Sequence, residues 1–173
     1  MIYRQSTILA KYSSFDEVRP DVLAAATERG ILVHRAIAAR LLGLYCPPLP
    51  EECRGYLVSF EKFEPMIKRI IAVEKTFIDE KLGISGTIDL LAEIAGTTGI
   101  SAIDWKTPTL AYTVWAAQMA IYRLLSKADT CGTLQLQADG GTPKIIWHHG
   151  DAYALQAFLY ALQAHKYFIG GND

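Results

Sequence analysis

Residues Gly86 to Lys106 read GTIDLLAEIAGTTGISAIDWK. Two apolar runs flank Gly96-Thr97-Thr98-Gly99, and this spacing predicts two strands joined by a short turn. Strand side chains alternate between faces, so Asp104 and Lys106 share one face while Ile103 and Trp105 share the other. On the first strand Ile88, Leu90, Ala92 and Ile94 form the apolar face, with Asp89 on the face that carries Leu91. Pairing through the turn brings Asp89 near Asp104. Two carboxylates and a lysine at one place are the layout of a divalent-metal site with a lysine beside it. Taken alone, Asp104 and Lys106 could be an ion pair on an exposed strand. The run Ile100 to Trp105 is too apolar for a fully solvated strand, however, and charged groups within it need partners.

Outward from this stretch, Ile70 to Phe77 is rich in β-branched residues and predicts a preceding strand with its turn at Asp79 to Gly83. The three strands then form an antiparallel meander. Upstream, Ser13 to Asp16 reads as a turn or helix start, and residues 1 to 15 otherwise give a mixed signal. Pro20 suits the first turn of a helix whose apolar positions recur from Val22 to Leu41, ending at Gly43. Gly30 lies inside it, at a cost of about 1 kcal/mol relative to alanine. The stretch reads as one long helix, or as two with a break at Gly30, and close approach of another backbone or of DNA would explain the glycine. Pro50-Glu51-Glu52 starts a second predicted helix that runs to about Phe63, packing through Tyr56, Leu57, Phe60 and Phe63. Downstream, a helix from about Tyr112 to Lys127 places Gln118 and Tyr122 one turn apart. Two strands, Thr133 to Gln137 and Lys144 to His148, flank a turn at Asp139-Gly140-Gly141. Asp151 caps a last helix from Ala152 to about Phe168. The order predicts an α/β fold, a central mixed β-sheet flanked by α-helices.

A chain of 173 residues is one domain's worth, residues 1–173. No uninterrupted apolar run is long enough to span a membrane, and residues 1 to 11 lack a secretory leader's apolar core, so a cytoplasmic protein is expected. Cys46, Cys53 and Cys131 are scattered and read as reduced thiols. The net charge of −1 and pI near 6.4 do not advertise nucleic-acid binding. A local cluster of lysine and arginine can still serve it.

The pair Asp89 and Asp104-Trp105-Lys106 resembles the signature of PD-(D/E)xK nucleases. Its surroundings resemble the RecB-like exonuclease branch: Gly30-x-x-x-His34 on a helix, Gly86-x-x-Asp89 on a strand, Asp104-x-Lys106 on the next, then Gln118-x-x-x-Tyr122 on a helix. The likeness covers roughly residues 20 to 127, and the last 45 residues only in outline. It implies a restriction-endonuclease-like core. It also implies that His34, Asp89, Asp104 and the backbone carbonyl of Trp105 ligate one or two Mg²⁺ or Mn²⁺ ions. Asp89, Asp104 and Lys106 would be the catalytic set, with Lys106 orienting or deprotonating the attacking water, and Gln118 and Tyr122 would hold the DNA strand and the lysine. Glu74 and Gly30 are auxiliary candidates. Some relatives of this branch bind an iron–sulfur cluster through four cysteines; three cysteines predict none here.

The expected activity is metal-dependent hydrolysis of linear DNA, as an exonuclease, in a bacterial or phage-infected cell. No nucleotide-binding glycine loop is present, so any motor would come from a helicase or recombination protein. The alternative is a catalytically inactive, nucleic-acid-binding subunit of the same fold.

Overall fold

The computed structural model describes residues 1–13, 18–107, 113–149 and 152–169. The turn expected at Ser13 to Asp16 falls mostly outside these residues, and the Asp151 cap and the helix start expected at about Tyr112 fall wholly outside them.

Strand β1 (Tyr3–Arg4) and the short helix α1 (Gln5–Leu9) open the chain. Two long helices follow, α2 (Pro20–Leu41) and α3 (Glu51–Phe63), then the meander β2 (Ile67–Asp79), β3 (Ile84–Ile94) and β4 (Ser101–Lys106). Helix α4 (Val114–Ser126) crosses over to β5 (Thr130–Gln135), and β6 (Lys144–Trp147) and α5 (Ala152–Phe168) complete the chain. The sheet is mixed: β2, β3 and β4 are antiparallel neighbours, β4 and β5 run parallel, and β5 and β6 are antiparallel. The α/β class and the meander agree with the sequence reading. The six-stranded sheet contains one strand more than expected, because β1 pairs in parallel with β3 at Ile84 and Ser85. Among the described residues no helix is long and apolar enough to cross a membrane.

Helix α2 is continuous through Gly30, with Pro20 in its first turn and Arg40 in its last. Arg40 reaches Glu61 at 2.8 Å and Glu64 at 2.9 Å, tying the end of α2 to the end of α3. No other backbone approaches Gly30; a Cβ there would meet only Thr107 Oγ1, at 3.9 Å. Of the two readings, one long helix or two with a break at Gly30, the long helix is the one found, and the expected close backbone is absent among the described residues.

Helices α2 and α3 pack on one face of the sheet through Val33, Ile37, Phe60 and Phe63, against Leu90, Ile103, Trp105 and Leu134. Helices α1, α4 and α5 cover the other face, where Ile8, Ile121 and Phe158 meet Ile84, and Met119 and Tyr122 meet Ile88 and Ala102. Trp105 and Phe60 are fully buried, their ring centroids 5.4 Å apart. Burying such rings supplies much of the apolar stabilisation of this layer.

Strand β3 departs from the simple alternation. Ile88 packs on the α4 side, while Leu90, Ala92 and Ile94 pack on the α2 and α3 side. The expectation that these four share a face is therefore corrected. The same break occurs in β2, where Val73 packs on the α2 side and Phe77 on the α4 side. Its physical origin is Glu74, whose φ of 49° is left-handed. The ladder pairs Val73 with Leu90 and Lys75 with Ile88, and skips Glu74 and Asp89 between them. A left-handed residue in a strand kinks the backbone as a bulge does and shifts side chains beyond it to the opposite face.

Candidate active site

The free stretch of β3 locates the site. Strand β2 occupies one edge of β3 along its whole length. The other edge is shared by β1 at Ile84 and Ser85 and by β4 at Leu90 to Ala92. Gly86 to Asp89 lie in the fork between β1 and β4, where the sheet opens and side chains of both helical layers can meet.

Asp89 is buried in this fork and uses both oxygens. Oδ2 accepts the backbone N–H of Trp105 at 2.9 Å, and Oδ1 lies 3.3 Å from His34 Nδ1. Helix α2 delivers His34 to the fork, one turn beyond Gly30, with its ring edge-on to Trp105. Glu74 comes from the kinked position of β2. Ligand atoms of His34, Glu74 and Asp89 all lie within 4.8 Å of one another, a group that could hold a metal ion. The auxiliary role foreseen for Glu74 becomes a place in this group.

Asp104 and Lys106 stand on the α4 side of the fork, as the alternation of β4 predicts. Lys106 Nζ lies 2.5 Å from Asp104 Oδ2. Gln118 Nε2 donates to Asp104 Oδ1 at 3.3 Å and to the Tyr122 hydroxyl at 3.1 Å. Asp104 is 2 % exposed, and its charge is met by Lys106 and Gln118 rather than by the donors around His34. Trp105 offers Asp89 its N–H. Its ring faces the core. Gly86 has a clear purpose: a Cβ there would lie 2.8 Å from the Tyr122 ring.

The electrostatics follow from burying several charges together. Burial pulls the His34 imidazole down, but the adjacent Asp89 carboxylate, with Asp104 beyond it, pushes it up to about 9. Burial, reinforced by Asp89, pushes the Glu74 carboxyl up to about 7. Burial also holds Asp104 above the ordinary carboxylate range, opposed by Lys106 and aided by Asp89. The Tyr122 phenol is raised by burial and by both aspartates. Without a cation, the site therefore retains protons. One imidazole and two carboxylates gathered within 4.8 Å of one another form a donor set that suits a hard or borderline divalent cation.

No family model matches the chain, and no curated protein does. The case for function is carried by the geometry.

One residue of this site escaped the sequence reading. Gln5, at the start of α1, donates from Nε2 to the Tyr122 hydroxyl at 3.0 Å. Its partner is 117 residues away, and no spacing pattern links them. Thr107, whose hydroxyl would lie 3.9 Å from a Cβ on Gly30, carries no such pattern either. The cysteines lie elsewhere: Cys53 is in the α3 layer and Cys131 on the opposite face of the sheet, where burial pushes its thiol up to about 11. His148 meets Thr133 Oγ1 through Nε2 at 3.0 Å, on the far strands.

Proposed function

We propose that this protein is a metal-dependent deoxyribonuclease with a restriction-endonuclease-like core of the RecB-like kind, hydrolysing linear DNA from its ends. One observation carries the reading. Four sequence segments, Gly30 to His34, Gly86 to Asp89, Asp104 to Lys106 and Gln118 to Tyr122, converge on one fork of the sheet. They are joined there by contacts His34–Asp89, Asp89–Trp105, Asp104–Lys106 and Asp104–Gln118.

His34, Glu74 and Asp89 would hold a magnesium or manganese ion, with Asp104 and the Trp105 carbonyl as further oxygen donors. Bound there, the ion supplies Lewis acidity and an acidified water. Lys106 places a positive charge beside Asp104, where it orients the attacking water and offsets the charge that grows on the phosphate. The water oxygen forms the new bond to phosphorus, and its proton passes to the Asp104–Lys106 pair. The departing ester oxygen keeps the electrons of the broken bond and takes a proton from solvent. Gln118 fixes Asp104, and with Tyr122 it lines the strand's path. Gly30 leaves open space one turn from His34, where a nucleotide backbone can pass. A helicase or recombination protein would present the DNA end.

The test is digestion of end-labelled linear and covalently closed circular DNA with Mg²⁺, Mn²⁺ or chelator. Linear DNA should be degraded with either metal, the circle spared, and Lys106→Met should be inactive while its near-UV circular dichroism shows it folded. DNA binding without cleavage in any metal would instead favour a catalytically inactive nucleic-acid-binding subunit.

A further inference from the structure

The segment that precedes the four motif-bearing stretches supplies a wall of the site. Strand β1 pairs Tyr3 with Ile84 and Arg4 with Ser85, and Gln5, the first residue of α1, reaches the Tyr122 side chain whose ring covers Gly86 in the fork. Gln5 is 4 % exposed. Its amide meets the Tyr122 hydroxyl at 3.0 Å, the same oxygen that receives Gln118 Nε2 at 3.1 Å. Gln118 in turn holds Asp104. The contacts run Gln5, Tyr122, Gln118, Asp104 and end on the Lys106 ion pair.

The proton count at Tyr122 makes this arrangement unusual. A phenol oxygen that accepts two amide N–H groups still has its own proton to place. Gln5 Oε1 is buried with no partner among the described residues. Turning the Gln5 amide over would let the phenol donate to Oε1, and the NH₂ group would then be the unpaired end. In either setting one end of a buried amide goes unsatisfied, which is unfavourable for folding. A methionine of the same length would fill the space without that cost. A buried polar group that folding alone does not favour points to a functional role.

We propose that Gln5 is a positioning residue of the catalytic site: it fixes the Tyr122 hydroxyl, and through Gln118 it sets the orientation of Asp104 beside Lys106. The assignment builds on the nuclease reading, deepening it by adding the N-terminal segment to the site. Gln5 does not itself touch the reacting atoms. Its effect should appear in turnover rather than in substrate affinity, and it should vanish when Tyr122 can no longer transmit it.

The experiment compares Gln5→Met, Tyr122→Phe and the double variant with the wild type. Gln5→Met should melt at or above the wild-type temperature. Its kcat on linear DNA should fall about 10- to 100-fold, the range for groups that orient a metal site from behind, with KM little changed. The double variant should be no slower than the slower single variant, because the two residues act in series. Wild-type kcat in Gln5→Met, or losses that multiply in the double variant, would overturn the assignment. A second readout stands apart from nuclease activity: the side-chain amide resonances of Gln118, followed by NMR in protein without DNA. They should shift in Gln5→Met, and they should be identical in Tyr122→Phe and the double variant. Unmoved Gln118 resonances in Gln5→Met would also overturn it. A wild type that cleaves no DNA but shows the coupled Gln118 shifts would refute the nuclease reading and leave the positioning role in place.

Discussion

At the scale of single residues, His34, Glu74 and Asp104 all hold protons more tightly than they ordinarily would, the imidazole because Asp89 outweighs burial and the two carboxyls chiefly because of burial. His34 is held up to about 9 and Glu74 up to about 7. A metal bound through a neutral imidazole and an ionised carboxylate must displace protons from them. Mn²⁺ affinity should therefore keep rising from pH 7 to pH 9, with protons released on binding. Calorimetry in buffers of different ionisation enthalpy measures that release. Affinity flat above pH 7 would remove His34 from the ligand set. The same shifts set the stability of the metal-free protein. A carboxyl raised from its ordinary value near 4.5 to about 7 binds more protons folded than unfolded, so its ionisation destabilises the fold as pH rises through that window. The histidine contributes stability that is fully present below about 6.5 and lost as pH rises through about 9. In chelator the melting temperature should fall from pH 5 to pH 9, and Mn²⁺ should flatten that decline. Gly86 gives a steric counterpart. A methyl added there would stand 2.8 Å from the Tyr122 ring and 3.2 Å from Leu125 Cδ1, so Gly86→Ala should cost about 1–3 kcal/mol in urea unfolding and displace Tyr122.

At the scale of elements, the kink shared by β2 and β3 is the feature that builds the site. A glutamate at φ 49° costs on the order of 1–3 kcal/mol, and such strain persists where the surroundings over-determine it. Here it breaks the ladder opposite Asp89 and lets α2 reach that carboxylate from the other layer. Glu74→Gly should relieve the left-handed conformation and raise stability by up to about 1 kcal/mol. It should also weaken Mn²⁺ binding, because one donor of the group is gone. Glu74→Ala removes the same donor but keeps the strain, so it should be the less stable of the two. Equal metal affinity for Glu74→Gly and wild type would exclude Glu74 as a ligand. Helix α2 shows the opposite case: Gly30 is tolerated inside a continuous helix with open space beside it, so its value is the space and not a bend.

At the scale of the whole molecule, the α2 and α3 layer is tied to the sheet at its rim as well as across its face. Helix α3 lies against the loop between β5 and β6. A Cβ on Gly55 would lie 1.7 Å from the carbonyl oxygen of Ala138, and Ser59 Oγ accepts the backbone N–H of Gln137 at 3.0 Å. That lock couples the layer carrying His34 to the strands beyond Asp104. Gly55→Ala should cost about 3 kcal/mol in chemical denaturation, since backbone must move to admit the methyl. An unchanged midpoint would mean that the loop yields freely.

The amino-acid sequence by itself determined the order and extent of most elements, because amphipathic periodicity and turn residues are local signals. The helix Glu51–Phe63 and the pairing across Gly96 to Gly99 were both legible in this way, and so was the common face of Asp104 and Lys106. Tertiary structure alone decided three things. Strand β1 is two residues long and exists only because Ile84 and Ser85 offer an edge. The left-handed turn at Glu74 has no residue-type signal, since glutamate does not favour that conformation; packing on both sides imposes it, and the faces of Ile88 and Leu90 follow. Gln5 meets Tyr122 across 117 positions, a contact set by how the sheet edge and α4 come together and by no local pattern in the chain.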